Sequence, residues 1–389
     1  MIKISKHRYG ARGCAPSKSP ASPFCNIWVI GNVLTMLLVA FGTPVLEAAQ
    51  DQPTKVVIGI SPFQDTLLPI VGAEKGWYKE VGLDVTFKTL AWNAMMPAVA
   101  SGAVDVAVYN TTGVVLVYSK QPDLVFWYPW DIFAQGAALM GRPNIGLKTV
   151  KDFEQQGLDH KAAVKAVVAQ LKSKSVVTTM GSDMGKAVVI VTSDNGLPRD
   201  QFKIIDMDPD QGLAAFLSGT GDAYLGGIPQ RTRLTKEGYL TLISGPDIAP
   251  VPLNGWVTTR AFAEKNQEAL LKLQNVMFRI IRYTNANQDE IAKLITDRLN
   301  SETGAQMTIE NFKKFWNEIE IYSNNAAEVA RDILSENGQG SWKRTWDNDN
   351  YYFVEVDKTV PAKVPYDACW APKVQDLYVA KFGANETGN

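Results

Sequence analysis

From residue 55 onward the chain alternates short apolar runs with helix-length stretches. Continuous apolar or β-branched runs at 55–60, 84–90, 104–108, 124–128, 176–179, 202–206, 222–226, 240–243 and 255–259 predict buried strands. Between them, stretches at 67–75, 92–102, 113–119, 150–174, 186–192 and 208–219 predict helices, as does one closing at Gly238. Asp208-Pro209-Asp210-Gln211 is a strong helix start, with an acid at the N-cap and proline in the first turn. Glycines at 76, 102, 219 and 238 mark helix ends. Strands separated by helices in this order predict parallel βαβ units rather than hairpins. After Pro250 and Pro252 the pattern changes. A long amphipathic helix is expected over 261–285, with Leu270, Leu273, Met277, Ile280 and Ile281 on one stripe. Further helices are expected near 287–299, 308–319 and 325–336. The tail 341–389 is rich in Trp and Tyr and is expected to pack on the body.

One arrangement is written twice. Ser101-Gly102-x-x-Asp105 opens a strand that runs into the polar loop Asn110-Thr111-Thr112. The same letters return 117 residues later as Ser218-Gly219-x-x-Asp222, before the loop Gly226-Gly227 and Gln230. With the same offset, the strand–helix junction 61–65 falls on 178–182. Two similar α/β units follow from this, not one long sheet. Ser101-Gly102 and Asp105, with their counterparts, read as helix stops and turn or cap residues. The run 136–140 is expected to cross into the second unit and 255–259 to return. That makes lobe 1 residues 54–140 plus 250–340, and lobe 2 residues 141–249.

Composition adds limits. The 389 residues are 46% hydrophobic with a net charge of −1, so a folded protein of one or two domains is expected, and no basic surface suits a nucleic acid. The N-terminus carries Lys3, Lys6, Arg8, Arg12 and Lys18, then an uncharged run over 27–41, then Ala48 and Ala49. So short a run reads as the apolar core of an export signal, residues 1–48, rather than as a membrane span of about 20 residues. Cleavage is expected near Ala48 or Ala49, or after Gly42. Cys14, Cys25 and His7 fall in that leader, and neither cysteine follows a lipobox. Cys369 and His160 then stand alone, which leaves no disulfide, no thiol metal site and little histidine chemistry. No cofactor, metal or catalytic residue is expected.

The run Ala73-Glu74-Lys75-Gly76-Trp77-Tyr78-Lys79-Glu80-Val81-Gly82-Leu83-Asp84-Val85 resembles the AKxxGxFxxxGLxV signature of the nitrate/sulfonate/taurine and thiamine-precursor (NMT1/SsuA-like) binding proteins. Ala100-Ser101-Gly102-x-x-Asp105 and Leu217-Ser218-Gly219-x-x-Asp222-Ala223 are similar to that family's two ALxSGxxD segments. The resemblance spans roughly 55–335. It implies a two-lobed periplasmic-binding-protein fold (type II), α/β, each lobe a mostly parallel sheet flanked by helices, joined by two crossover strands. It also implies a periplasmic, monomeric solute-binding component of an ABC importer, with a small-molecule solute and an inner-membrane permease as partners. Residues 154–174, as an extra helix, and the tail beyond 340 depart from the family pattern.

In parallel α/β lobes ligands lie beyond the carboxyl ends of strands, where helix N-termini point. Four junctions qualify: 61–66, 110–113, 179–185 and 226–230. They nominate Gln64, Asp65, Asn110, Thr111, Gly181, Ser182, Asp183, Gly227 and Gln230, with Trp92, Asn93 and Asp131 nearby. Ser182 and Asp183 have a plainer reading as N-cap and first-turn residues. Trp92, Trp130 and Trp256 are candidate walls, or ordinary core. No arginine occurs between Lys55 and Gly141, so the first lobe offers no bidentate clamp for an anion. Asp65, Asp131 and Asp183 favour a solute carrying an amine, zwitterionic or aromatic, over bare nitrate. Enzymes on the same fold are the competing reading: a thiamine-pyrimidine synthase, whose relatives carry a cysteine-rich motif and a catalytic histidine, or a menaquinone-pathway enzyme. A ligand-sensing receptor domain is a third. No GxSxG elbow is present.

Overall fold

In the computed structural model the first apolar run becomes β1 (Thr54–Ile60), paired in parallel along its whole length with β2 (Leu83–Thr89). The structure describes residues 52–134, 137–248 and 251–387. The export signal expected over 1–48 lies outside them. β3 (Val106–Asn110) joins the other side of β1, also in parallel. Next come β4 (Leu124–Ile132), β5 (Ala138–Gly141), β6 (Ser175–Thr178), β7 (Lys203–Asp206), β8 (Ala223–Gly226), β9 (Leu240–Ser244), β10 (Leu253–Thr259) and β11 (Ile321–Tyr322).

Two sheets result. The first runs β11-β4-β10-β3-β1-β2 and the second β7-β6-β8-β5-β9. In the first, β2, β1 and β3 are parallel, and β10 is inserted antiparallel between β3 and β4. In the second, β7, β6 and β8 are parallel, while β5 runs antiparallel to β8 and β9. Each sheet therefore has three parallel strands beside antiparallel ones. The chain crosses between the sheets after β4 and returns before β10.

Every residue of β3 and β4 is buried, as expected of strands covered on both faces. β4 carries Pro129 in its middle, where a ladder donor is lost. The ladder slips at that point, with Gly255 of β10 opposite Pro129. A Cβ on Gly255 would lie 2.3 Å from the Tyr128 carbonyl oxygen, so this close crossing requires glycine.

The repeat is a scaffold device. Asp105 Oδ2 accepts the Val57 N–H at 2.8 Å, tying β3 to β1. Asp222 Oδ2 accepts the Ser175 N–H at 2.8 Å, tying β8 to β6. Both were expected to serve as turn or cap residues. Instead each carboxylate braces the neighbouring parallel strand, Asp105 at the middle of β1 and Asp222 at the first residue of β6.

Other expectations are corrected. Residues 150–174 form two helices, Val150–Gln155 and His160–Ala169, split where Gly157 takes φ 93°. Each has its own side-chain cap, from Thr149 and Asp159. The helix expected over 261–285 is also two, Arg260–Lys265 and Gln267–Ala286, separated by Asn266 in a non-helical conformation. The helix expected at 113–119 starts earlier, at Thr111, because the Asn110 side chain caps it. In the tail, helix Trp342–Asn350 buries Trp346, and helix Ala371–Phe382 buries Tyr378. Cys369 is buried beside β4, and burial pushes its thiol up to about 12.

Candidate functional site

The parallel strands of both sheets point their carboxyl ends at one cleft, which holds about 570 Å³ of space between atoms, its opening included. From the first sheet, Phe63, Gln64 and Asp65 follow β1, Trp92 follows β2, Asn110 ends β3 and Phe133 follows β4. Asn254 of β10 and Glu320, just before β11, complete that wall. From the second sheet, Thr179, Ser182, Asp183 and Met184 follow β6, Pro209 follows β7, and Tyr224 to Pro229 end and follow β8.

The first wall is aromatic and acidic. Trp92 stacks on Tyr109 at 4.0 Å between ring centroids and receives Phe63 edge-on at 5.3 Å. Asn254 Nδ2 donates to Asp65 Oδ2 and Asp131 Oδ2, each at 2.9 Å. Tyr322 donates its hydroxyl to Glu320. Burial pushes the Asp65 carboxyl up to about 6, opposed by backbone hydrogen bonds and assisted by Asp183. Burial also raises Asp131 and Glu320 well above the carboxylate range, and the neighbouring acids add to both shifts. Gln64 is 1% exposed, and neither atom of its amide head has a protein partner. Glu320 Oε1 and Asp131 Oδ1 also lack one. No lysine or arginine lines the cleft among the described residues.

The second wall is built from helix starts. Ser182 Oγ accepts the Met184 N–H at 3.1 Å and donates to the Thr179 carbonyl at 2.7 Å, capping helix Asp183–Asp194. Asn110 does the same across the cleft: its Oδ1 accepts the Gly113 N–H at 2.9 Å. Its Nδ2 donates to Asp183 Oδ1 at 2.8 Å, joining the lobes. Burial raises the Asp183 carboxyl, and Lys186 and Asn110 oppose that shift.

Seven of the predicted site residues line the cleft: Gln64, Asp65, Trp92, Asn110, Ser182, Asp183 and Gly227. Asp131 lies behind the wall, bonded through Asn254. Thr111 is buried within its helix start. Gln230 turns to Asp210, donating at 3.2 Å. Asn93 and Gly181 face each other at the edge, where a Cβ on Gly181 would lie 3.3 Å from Asn93 Oδ1. There the Asn93 N–H also donates to Asp208 of the second lobe at 3.2 Å. Trp130 and Trp256, candidate walls, pack on each other at 4.5 Å with no exposure and belong to the core.

Sequence reasoning passed over Glu320, Asn254 and Lys186. Glu320 stands in Glu318-Ile319-Glu320-Ile321, an alternation that reads as an outward acid. Lys186 precedes an unbroken apolar run, Ala187 to Val191, and that was its only signal. It is fully buried, paired with Asp349 of the tail helix, and donates to Thr112 Oγ1 of the first lobe at 3.1 Å. Asp349 accepts Thr112 as well.

A two-lobed α/β body with its site across the strand ends of both sheets defines the class of periplasmic-binding-protein folds. Solved structures agree. The alkanesulfonate-binding protein SsuA from Xanthomonas axonopodis pv. citri, bound to MOPS, superimposes with a TM-score of 0.61 at 16% identity, over 82% of this chain and 99% of that one. The Candida albicans CA3427 gene product, described as having the generic periplasmic binding protein fold, gives 0.60 at 13% identity over 87% and 98%. The nitrate-binding protein NrtA from Synechocystis PCC 6803 gives 0.54 at 15% identity over 84% and 85%. No curated protein matches by sequence. The chain belongs to the NMT1-like family, whose profile matches residues 49–296.

Proposed function

We propose that this protein is the periplasmic solute-binding component of an ABC importer, capturing a small organic solute between its lobes and handing it to a membrane permease. The observation that carries this reading is the cleft itself. Both lobes line it through the loops after their parallel strands, and Gln64 lies buried in its wall with an unpartnered amide. Closure of two lobes around a solute would create the surface a permease recognises. Family membership and the likeness to sulfonate- and nitrate-binding proteins support the same reading. Among the described residues, the one cysteine and the one histidine both lie away from the cleft: Cys369 is buried beside β4, and His160 sits on the surface between Glu154 and Asp247.

The test is a thermal-shift screen of the purified protein against taurine, alkanesulfonates, nitrate, aminopyrimidines and small amines. A stabilisation of several degrees by one compound, without product by mass spectrometry, is the expected result. Turnover would instead favour the enzyme reading, and silence across the panel would remove the solute-binding one.

A further inference from the structure

Resting on that solute-binding reading, we infer that the solute is a compact organic cation bearing N–H donors, held by Asp65 and Glu320 with Gln64 as the neutral contact. Two independent features point the same way. The first is charge. Asp65, Glu320 and Asp183 line the cleft, Asp131 stands behind Asn254, and no lining residue is basic. The buried cation Lys186, three residues after Asp183, is already committed to Asp349 and Thr112. A further cation would offset the cost of holding several carboxylates in one apolar site.

The second is the unpartnered polar side chain. Gln64 is 1% exposed and lines the cleft with both amide atoms unsatisfied, beside Glu320 Oε1, which also lacks a partner. An occupant with several N–H donors satisfies Glu320 and the Gln64 carbonyl together. Trp92, Phe63 and Phe133 supply aromatic surface suited to the same charge.

The arrangement disfavours a sulfonate or nitrate. Such an anion needs a basic side chain or free helix N–H groups. Here no basic side chain lines the cleft, and two of its helix starts are capped from within, because Asn110 takes the Gly113 N–H and Ser182 takes the Met184 N–H. The starts at Trp92, Pro209 and Ile228 carry no side-chain cap, so the lining carboxylates, not the helix ends, set the sign of the site. The solute must be compact because the lobes already meet around it. Asn110 bonds Asp183, Asn93 bonds Asp208, and a Cβ on Gly227 would lie 3.9 Å from Phe63.

The test is titration calorimetry of the purified protein at pH 8 and constant ionic strength. The probes are methylammonium, acetamidinium, guanidinium and choline chlorides at millimolar concentration, against sodium nitrate, sodium ethanesulfonate, taurine and urea. At least one cation is expected to bind. Glu320→Gln and Asp65→Asn are each expected to weaken it by tenfold or more, with unliganded melting temperatures unchanged or raised. Binding of an anion or of urea, with the cations silent, would overturn the inference and leave the solute-binding reading standing. Silence of the whole panel would count against both. Cation binding unaffected by either substitution would remove Asp65 and Glu320 as its contacts.

Discussion

The two lobes are the same scaffold carrying different chemistry. Each has three parallel strands, each braces its first strand with an aspartate that follows Ser-Gly by three residues, and each caps a cleft helix from the strand end, with Asn110 or Ser182. Their walls differ. Lobe 1 brings Asp65, Glu320, Gln64 and the aromatic pair Phe63–Trp92. Lobe 2 brings glycines, hydroxyls and one acid, Asp183, whose helix also carries Lys186. On the proposed solute-binding function, recognition is concentrated on lobe 1, and lobe 2 would close over it. The repeat in the sequence marks what the lobes share, so it points at the scaffold and away from the selective groups.

The largest effect concerns a group the repeat does not contain. Lys186 of lobe 2 is buried against Asp349 of the tail helix and Thr112 of lobe 1, so one ion pair clasps three segments. Lys186→Met strands a buried carboxylate and is expected to cost about 3–5 kcal/mol in denaturant unfolding. The double variant Lys186→Met/Asp349→Leu should recover most of that. If the single variant is neutral, the clasp is not a joint of the two lobes.

The acidic wall of lobe 1 has its own signature. Asp65 is raised from 3.8 to about 6, so the folded protein holds this proton more tightly than the unfolded chain. Its contribution is then complete below about pH 4 and is lost as pH rises through 6, a change on the order of 2–3 kcal/mol. The groups facing it are Asp131, Glu320, Asp183, Tyr322 and Asn254, none a cation. Unliganded wild type minus Asp65→Asn, followed by chemical denaturation from pH 4 to 8, should show this slope. A flat difference would mean the wall is not charge-frustrated. Cation binding should run the opposite way, strengthening as pH rises and the carboxylates of Asp65 and Glu320 ionise.

The braces test whether the lobes are equivalent where the sequence repeats. Asp105→Ala and Asp222→Ala each remove a charge-assisted bond to a strand amide, and each should cost about 1.5–3 kcal/mol. Asp222 also accepts the Ser175 hydroxyl at 2.9 Å, so its loss should be the larger. The reverse order, or no loss at one site, would break the equivalence.

What the sequence made legible follows from the range of its physical signals. Apolar runs, glycine stops and the Asp208-Pro209 start are local, and they placed the strands and most helices. The carboxyl ends of those strands then located the cleft, and seven nominated residues line it. Trp130 and Trp256 could not be assigned, because an aromatic in a strand reads the same facing a core or a site. Glu320 and Asn254 reach the cleft only because β10 and β11 return to the first sheet more than a hundred residues after β4, a pairing that leaves no local trace. The helix break at Asn266 was missed because the apolar stripe continues across it, from Ala263 to Leu270; the break at Gly157 falls in a polar stretch, and no buried stripe marks the helix before it.

The smallest effect separates capping from contact between the lobes. Ser182→Ala removes a cap on the lobe 2 helix and a local bond to the Thr179 carbonyl, with no bond between the lobes, and should cost about 1 kcal/mol. Asn110 has two roles, capping its helix through Oδ1 and bonding Asp183 through Nδ2. Asn110→Ser keeps a capping oxygen and loses the bond across the cleft. If the lobes meet mainly through the Lys186 clasp, this variant should lose less than about 1 kcal/mol in denaturant unfolding, the range of one ordinary hydrogen bond. A larger loss would show that Asn110–Asp183 is a principal joint, and that lobe 2's acid is held in place by lobe 1 rather than by its own helix.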